Sequence, residues 1–273
     1  MKDKLKIWRP EVSWEEAEKG WDEGSKTSEQ ARPLKGLKSL PAMPGITEET
    51  AKRLKLKSIK YLLSHDPKRI FPRYFFKAPF KYTWRWIKSA LKKKSYQRDG
   101  DFFLYGLKDI EEFKTLLKRE DNLFIIGFSY CHKPFECPSG RFTEGCIHDP
   151  ENPVCRQCFI GKSVNALPFH KKEIIPLFIP TIHYIGEKIF QITQSNPDKQ
   201  SLFLITACEL TLEMFGDWGN MVAARGIGVR LGGRICNTMK AFELSEQGIK
   251  PGLTIVLPST QARMFELIKA LWQ

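Results

Sequence analysis

The chain has 273 residues, 42% of them hydrophobic, and a formal net charge of +13. That length and composition fit an ordinary globular protein of one large or two smaller domains, and no apolar run approaches the roughly 20 residues a membrane-spanning helix needs. The opening MKDKLKIWRP puts charges where a secretory signal needs an apolar core, so the expectation is a soluble, cytoplasmic protein.

The charge is unevenly placed. Residues 1–120 hold 29 Lys/Arg against 17 Asp/Glu, whereas residues 121–273 hold 15 against 14. Within residues 51–98, sixteen basic residues meet one acidic residue, Asp66. We divide the chain on this step into an N-terminal arm (1–30), a basic helical domain (31–100) and a cysteine-bearing domain (101–273).

The arm carries Trp8, Trp14 and Trp21. SWEEAEKGW starts a helix in the pattern of a capping box, with Ser13 as N-cap and Glu16 three residues on. Trp14 and Trp21, seven apart, share one face, which reads as an arm that docks through its tryptophans. EGSKTSEQARPLKG reads as a linker.

Over residues 34–76, Gly45 marks a tight turn between two short helical patterns. Thr47 is a good N-cap, with Thr50 three residues on and Glu48 and Glu49 in the first turn. Ala51, Leu54, Ile59, Leu62 and Leu63 supply apolar spacing. The residues Pro44-Gly45-Ile46, Ala51 with Leu54, and Leu62-Leu63-x-His65-x-Pro67-x-Arg69 resemble the helix-hairpin-helix family, in the form found in the wedge domain of branch-migrating DNA helicases. The resemblance implies a turn at Gly45 that presents backbone N–H groups to a phosphate, as a glycine turn feeding a helix can. The alternative is a small helical packing module, since fold does not fix function.

Residues 71–98 interleave Phe71, Tyr74, Phe75, Phe76, Phe80, Tyr82, Trp84 and Trp86 with Arg73, Lys77, Lys81, Arg85 and Lys88. Cations neutralise phosphates and exposed aromatics stack on unpaired bases. The same composition suits a surface of anionic lipid. The aromatics alone read as core-facing, with the lysines as a solvated rim; the basic run as a whole reads as polyanion-binding. The candidate nucleic-acid contacts are Gly45, Lys52, Arg53, Arg69, Arg73, Lys77, Lys81, Arg85, Lys92, Lys93 and Lys94. RNA is favoured over DNA because an aromatic-rich stretch suits unpaired bases, and a membrane surface is the alternative partner.

From residue 101 the texture changes. LFIIGF (123–128), IIPLFI (174–179), KIFQI (188–192), SLFLITA (201–207), GVRLGG (228–233) and LTIVLP (253–258) are short apolar runs bounded by turn residues. Helical stretches fit at 108–120, 161–172, 209–216 and 259–272. Buried strands alternating with helices predict an α/β domain with a mainly parallel sheet, flanking helices and a cysteine-rich loop, preceded by the small basic helical domain.

Five of seven cysteines fall within 28 residues: Cys131, Cys137, Cys146, Cys155 and Cys158. Apart from its cysteines that segment has only Phe135, Phe142, Ile147 and Val154 as clearly apolar residues, and no helical or strand period, so apolar burial cannot offset its ordering entropy. Thiolates gathered on a metal or cluster would order it. In a reducing compartment, and with an odd cysteine count, metal binding is a better reading than disulfides. Cys131, Cys208 and Cys236 each follow or end a predicted strand. If those strands are parallel neighbours, the three converge on the edge where open α/β sheets build their sites, and all seven cysteines are candidate metal ligands. Only Cys155-Arg156-Gln157-Cys158 is a short ligand pair. A paired CxxC…CxxC zinc ribbon is missing, and so many soft thiolates favour an iron–sulfur cluster, [4Fe–4S], with zinc as the alternative.

Cys131 with Cys137-Pro138, Cys146, Cys155-x-x-Cys158-x-Ile160-Gly161, Ala207-Cys208-Glu209 and Cys236-Asn237-Thr238 resemble, over about residues 120–250, an uncharacterised family known as domain of unknown function 116. The resemblance implies a cytosolic, metal-binding α/β domain and no particular reaction. Several other signals fail. Gly161-Lys162-Ser163 lacks the earlier glycine of a phosphate loop, Arg156 standing there. Gly226-Ile227-Gly228 meets Leu231 where a dinucleotide fingerprint needs its third glycine. Glu209 with Glu213 reads as a solvated helix face. Arg225, Arg230 and Arg234 are anion candidates at the sheet edge or solvent-facing strand residues. His132 and His148 read as surface histidines before they read as zinc ligands.

Overall fold

The computed structural model describes residues 7–8, 45–66, 68–92, 95–171, 173–250 and 252–272. The helix start at Ser13 and its linker lie outside the described residues, as do Pro67, Lys93 and Lys94. A two-residue strand β1 (Ile7–Trp8) pairs in parallel with β2 (Ile46–Thr47). Four helices follow: α1 (Glu48–Ala51), α2 (Leu54–Ser64), α3 (Ile70–Phe75) and α4 (Pro79–Ala90). Next come β3 (Gln97–Asp99), β4 (Phe102–Tyr105), α5 (Ile110–Leu117) and β5 (Asn122–Ser129). The cysteine-rich loop closes with α6 (Pro153–Gln157) and α7 (Phe159–Asn165). The chain ends in β6 (Ile174–Ile179), α8 (Ile182–Ser195), β7 (Gln200–Cys208), α9 (Glu209–Met221), β8 (Arg225–Gly233), α10 (Met239–Glu246), β9 (Thr254–Ile255) and α11 (Pro258–Lys269).

Short polar side chains start most of these helices by accepting orphan N–H groups. Thr47 accepts from Thr50 N at 3.2 Å as expected, Asp109 from Glu112 N at 2.7 Å and Asn152 from Val154 N at 2.9 Å. Asp66, the lone acid of the basic run, takes the N–H groups of Ile70 and Phe71 at 2.7 and 2.8 Å.

The main sheet runs β3–β4–β8–β7–β5–β6, with β9 beside the end of β8. β6, β5, β7 and β8 are parallel neighbours, while β3, β4 and β9 pair antiparallel. The protein is therefore α/β, with a mixed, mainly parallel sheet. Among the parallel strands the chain order is 2-1-3-4, so the winding reverses between β5 and β7. In open α/β sheets the crevice at such a reversal, outside the strands' carboxyl ends, is where ligands bind.

Strand residues alternate between two buried faces. Ile125, Phe203, Ile205 and Ala207 pack with α8, α9 and α10. Phe124, Ile126, Leu202 and Leu204 pack with α5, α7 and α11. The first core also takes in Ile46, Leu54, Tyr61, Ile70, Tyr74 and Tyr82 from the basic front segment. Polar bonds reinforce that junction: Trp218 Nε1 donates to Ser58 Oγ at 3.2 Å and Ser89 Oγ to Asp217 at 2.8 Å.

Two expectations are corrected. KIFQI is not a strand but part of α8, whose Ile182, Ile185, Ile189 and Phe190 repeat with a helical period. LTIVLP contributes only the two-residue β9. The glycines of 226–228 answer to packing, since a Cβ at Gly228 would lie 2.5 Å from Leu212 of α9.

Candidate metal centre

All seven cysteines are free thiols, and their electrostatic neighbours sort them into two groups. The first is Cys131, Cys208 and Cys236, set by the ends of β5, β7 and β8. Parallel pairing brings these ends together, as the strand-end argument required. Cys236 is fully buried, with Lys250 Nζ donating to its sulfur at 3.0 Å. The Cys208 thiol donates to Cys236 as well, and that bond, outweighing burial, holds Cys236 well below the usual thiol range with help from Lys250. The Cys208 thiol is held up by the same bond and by burial. Cys131 is pushed up by burial, with Lys250 pulling the other way. Burial alone would drive Lys250 down, but the charges of Cys236, Cys131 and Cys208 outweigh it and its pKa rises. Cys236 and Lys250 thus form a buried, hydrogen-bonded pair flanked by Cys131 and Cys208. Cys131 and Cys208 also line a mostly apolar cavity at the β5/β7 reversal, with Thr211 and Glu246 on its wall.

The second group is Cys137, Cys146, Cys155 and Cys158, all within the loop. Each of Cys146, Cys155 and Cys158 feels the charge of Cys137, and Cys146 also feels Cys155. Backbone N–H groups donate to three of these sulfurs: His148 to Cys146, Asp149 to Cys155, and Ile160 and Gly161 to Cys158. Burial still dominates at Cys158 and pushes it up to about 11. Gly161 allows this turn to close, because a Cβ there would meet the Cys155 carbonyl at 2.5 Å.

The loop owes its shape to two cations that the sequence reading passed over. Lys133 is 1% exposed, and its Nζ donates to the carbonyls of Gly140, Thr143 and Gly145 at 3.2, 2.9 and 2.6 Å and to Thr143 Oγ1 at 2.9 Å. Burial lowers its pKa, while Cys137, Cys146 and Cys158 oppose that shift. Arg141 donates to the carbonyls of Lys133, Lys250 and Gly252, tying the loop to the segment that carries Lys250. Backbone carbonyls gathered on buried Lys133 and half-buried Arg141 thus help to hold the segment in shape.

Other candidates fall out differently from their expectations. His132 is buried rather than on the surface; it stacks on Phe159 at 5.2 Å, and burial pushes it down to about 4. His148 is half-buried with its ring nitrogen 3.0 Å from the Cys146 carbonyl. Glu209 is not on a solvated face: it is fully buried and paired with Arg98 at 2.9 Å and Arg230 at 3.7 Å. Arg230 and Arg225 are engaged by Asp101 and Glu112. Gly45 is buried, and the adjoining Thr47 N–H is spent on Asn237 O at 3.0 Å. Of the predicted polyanion contacts, Lys52, Arg53, Arg69, Arg73, Lys77, Lys81 and Lys92 are exposed and Arg85 is half-buried.

The donor chemistry of the loop suits a soft metal centre: four thiols, backbone N–H groups aimed at three of them, and a buried cation to balance thiolate charge. The geometry is not closed, since no group of three or more His, Cys, Asp or Glu side chains among the described residues is arranged to hold a metal ion. Ligation therefore requires side-chain movement. Among the described residues no helix is long and apolar enough to cross a membrane. No family model, curated protein or solved structure matches the chain.

Proposed function

We propose that the protein is a metal-thiolate protein that binds an iron–sulfur cluster in preference to zinc, with Cys137, Cys146, Cys155 and Cys158 as the ligands. The observation that carries this reading is the direction of the backbone N–H groups of His148, Asp149, Ile160 and Gly161 onto three of the four sulfurs. Such bonds favour thiolate over thiol and offset its buried charge. Four thiolates on a [4Fe–4S] core carry net negative charge, and the Lys133 ammonium beside them is the compensating cation. When bound, a cluster of this kind supplies a one-electron centre and a staple for the loop. Cys131, Cys208 and Cys236 fall outside this set because Lys250 already holds the place a metal cation would take.

Anaerobic purification followed by iron, zinc and acid-labile sulfide analysis tests the assignment. Cys155→Ser and Cys158→Ser should abolish bound metal, whereas Cys131→Ser and Cys208→Ser should keep it. Full metal content in the first two variants would refute the ligand set. A colourless protein with stoichiometric zinc would select the structural zinc reading.

A further inference from the structure

Helix α4 has two apolar faces, and among the described residues only one of them packs against the rest of the fold. Tyr82, Trp86 and Ser89 turn inward. Tyr82 meets Phe190 of α8 edge-on with ring centres 5.7 Å apart, and Ser89 bonds to Asp217 and Asn220 of α9. On the opposite side stand Phe80, Trp84 and Ile87, continued by Leu91 just past the helix end. They are 90%, 69%, 40% and 82% exposed. Their spacing of 4, 3 and 4 residues sets them in one straight row along the helix. Phe76, 71% exposed, precedes them. The expectation that these aromatics face the core is therefore overturned for Phe76, Phe80 and Trp84.

Cations flank the row. Lys81, Arg85, Lys88 and Lys92 fall at the same helical repeat, displaced about one quarter-turn around the axis, and no acidic residue occurs between Asp66 and Asp99. A row of exposed large apolar side chains is costly in water and marks an interaction site. Two polyanions fit the cations. Nucleic acid would use the aromatics as stacking platforms, but it has no use for Ile87 and Leu91 in the same row. A lipid surface uses all four, burying aliphatic and aromatic side chains at the acyl boundary while lysines reach the headgroups.

We propose that α4 lies flat on an anionic lipid surface, inserting Phe80, Trp84, Ile87 and Leu91 while Lys81, Arg85, Lys88 and Lys92 meet acidic headgroups. This is peripheral attachment. It is independent of the cysteine loop, so its failure leaves the metal assignment standing and the reverse also holds.

The full chain, with its metal content checked, is sedimented with vesicles of phosphatidylcholine alone or of phosphatidylcholine with one-third phosphatidylglycerol. A single-stranded RNA oligonucleotide is titrated in parallel. Binding to the anionic vesicles should exceed that to neutral vesicles about tenfold or more, and added salt should weaken it. Phe80→Ser with Trp84→Ser should lower vesicle binding by about tenfold or more. Because both side chains are exposed, the double variant should keep the wild-type melting temperature. Equal binding to neutral and anionic vesicles would overturn the proposal, as would full vesicle binding by the double variant. RNA binding without vesicle binding would hand the face to nucleic acid, and a dimer that hides the row and ignores vesicles would hand it to a second copy of the chain.

Discussion

Lys133 shows how much one side chain can organise. Its ammonium, closed off from solvent, gathers Gly140, Thr143 and Gly145 around one point and so folds a turn that has no period and little apolar surface. Removing the cation strips a charge-assisted bond from each of three carbonyls and leaves the single Thr143 hydroxyl to serve both Gly140 and Gly145. Lys133→Met should therefore destabilise the protein by about 2–4 kcal/mol, and urea denaturation of the metal-free chain should show it. Hydrogen exchange should localise the loss to residues 133–146. A variant as stable as wild type would mean that water or ligation, rather than Lys133, sets the loop. The cysteines of this segment were legible because thiols have few other uses in such a pattern. Lys133 was not, because its partners are backbone carbonyls, which every residue carries and no spacing betrays. Lys250 escaped for a related reason, since it is the return of β9 onto the end of β8, with the Arg234 N–H donating to Leu253 O at 2.9 Å, that brings it to Cys236.

At the scale of elements, helix α10 places Glu246 against the start of α8, where the carboxylate accepts the Ile182 N–H at 2.8 Å. Burial pushes Glu246 up to about 8, the Ile182 bond opposes the shift and the Cys236 charge adds to it. The group is also close enough to raise Tyr61 and Tyr130. The folded state thus keeps a proton that the unfolded chain releases near its ordinary value of 4.5. The stability from this site is complete below that value and drains away as pH rises through about 8. The slope reaches at most about 1.4 kcal/mol per pH unit. Glu246→Gln should flatten the decline of melting temperature between pH 5 and pH 8 and be relatively more stable at the upper end. A wild-type slope in that variant would place the titration elsewhere. The helix that Glu246 caps was misread as the strand KIFQI because a five-residue window holds both periods. The wider spacing of Ile182, Ile185, Ile189 and Phe190 decides for helix. The runs at 123–128, 174–179 and 201–207 lie within β5, β6 and β7, since parallel strands buried on both faces leave an unbroken apolar run. The edge strand β3 carries no apolar run, and β4, apolar throughout at Phe102–Tyr105, went unread because four residues are too few to show a period.

For the whole molecule, the step in charge near residue 100 proved a poor guide to where one core ends. Charge lives on the surface, and the basic helices send their uncharged side chains inward. Ile46, Leu54, Tyr61, Ile70, Tyr74 and Tyr82 join the same core as Phe203 and Ile205 of the sheet and Leu212 of α9. Burying each such side chain is worth about 1.5–3 kcal/mol, an amount comparable in sum to the net stability of a whole domain. Stripping residues 1–100 would also uncover Ile189, Phe190 and Trp218 on α8 and α9, and would leave Asp217 and Asn220 without Ser89. The sheet, its cysteine loop and the basic helices should therefore unfold together. Calorimetry of the full chain should give one cooperative transition, and a fragment of residues 101–273 should give none and expose apolar surface to a hydrophobic dye. Two separable transitions, or a fragment that melts cooperatively on its own, would show that the shared core is a contact between autonomous domains. In the single-core case the cation-lined helix α4 and the loop thiols are parts of one rigid body, and whatever surface α4 meets fixes the orientation of the thiol-bearing strand ends relative to it.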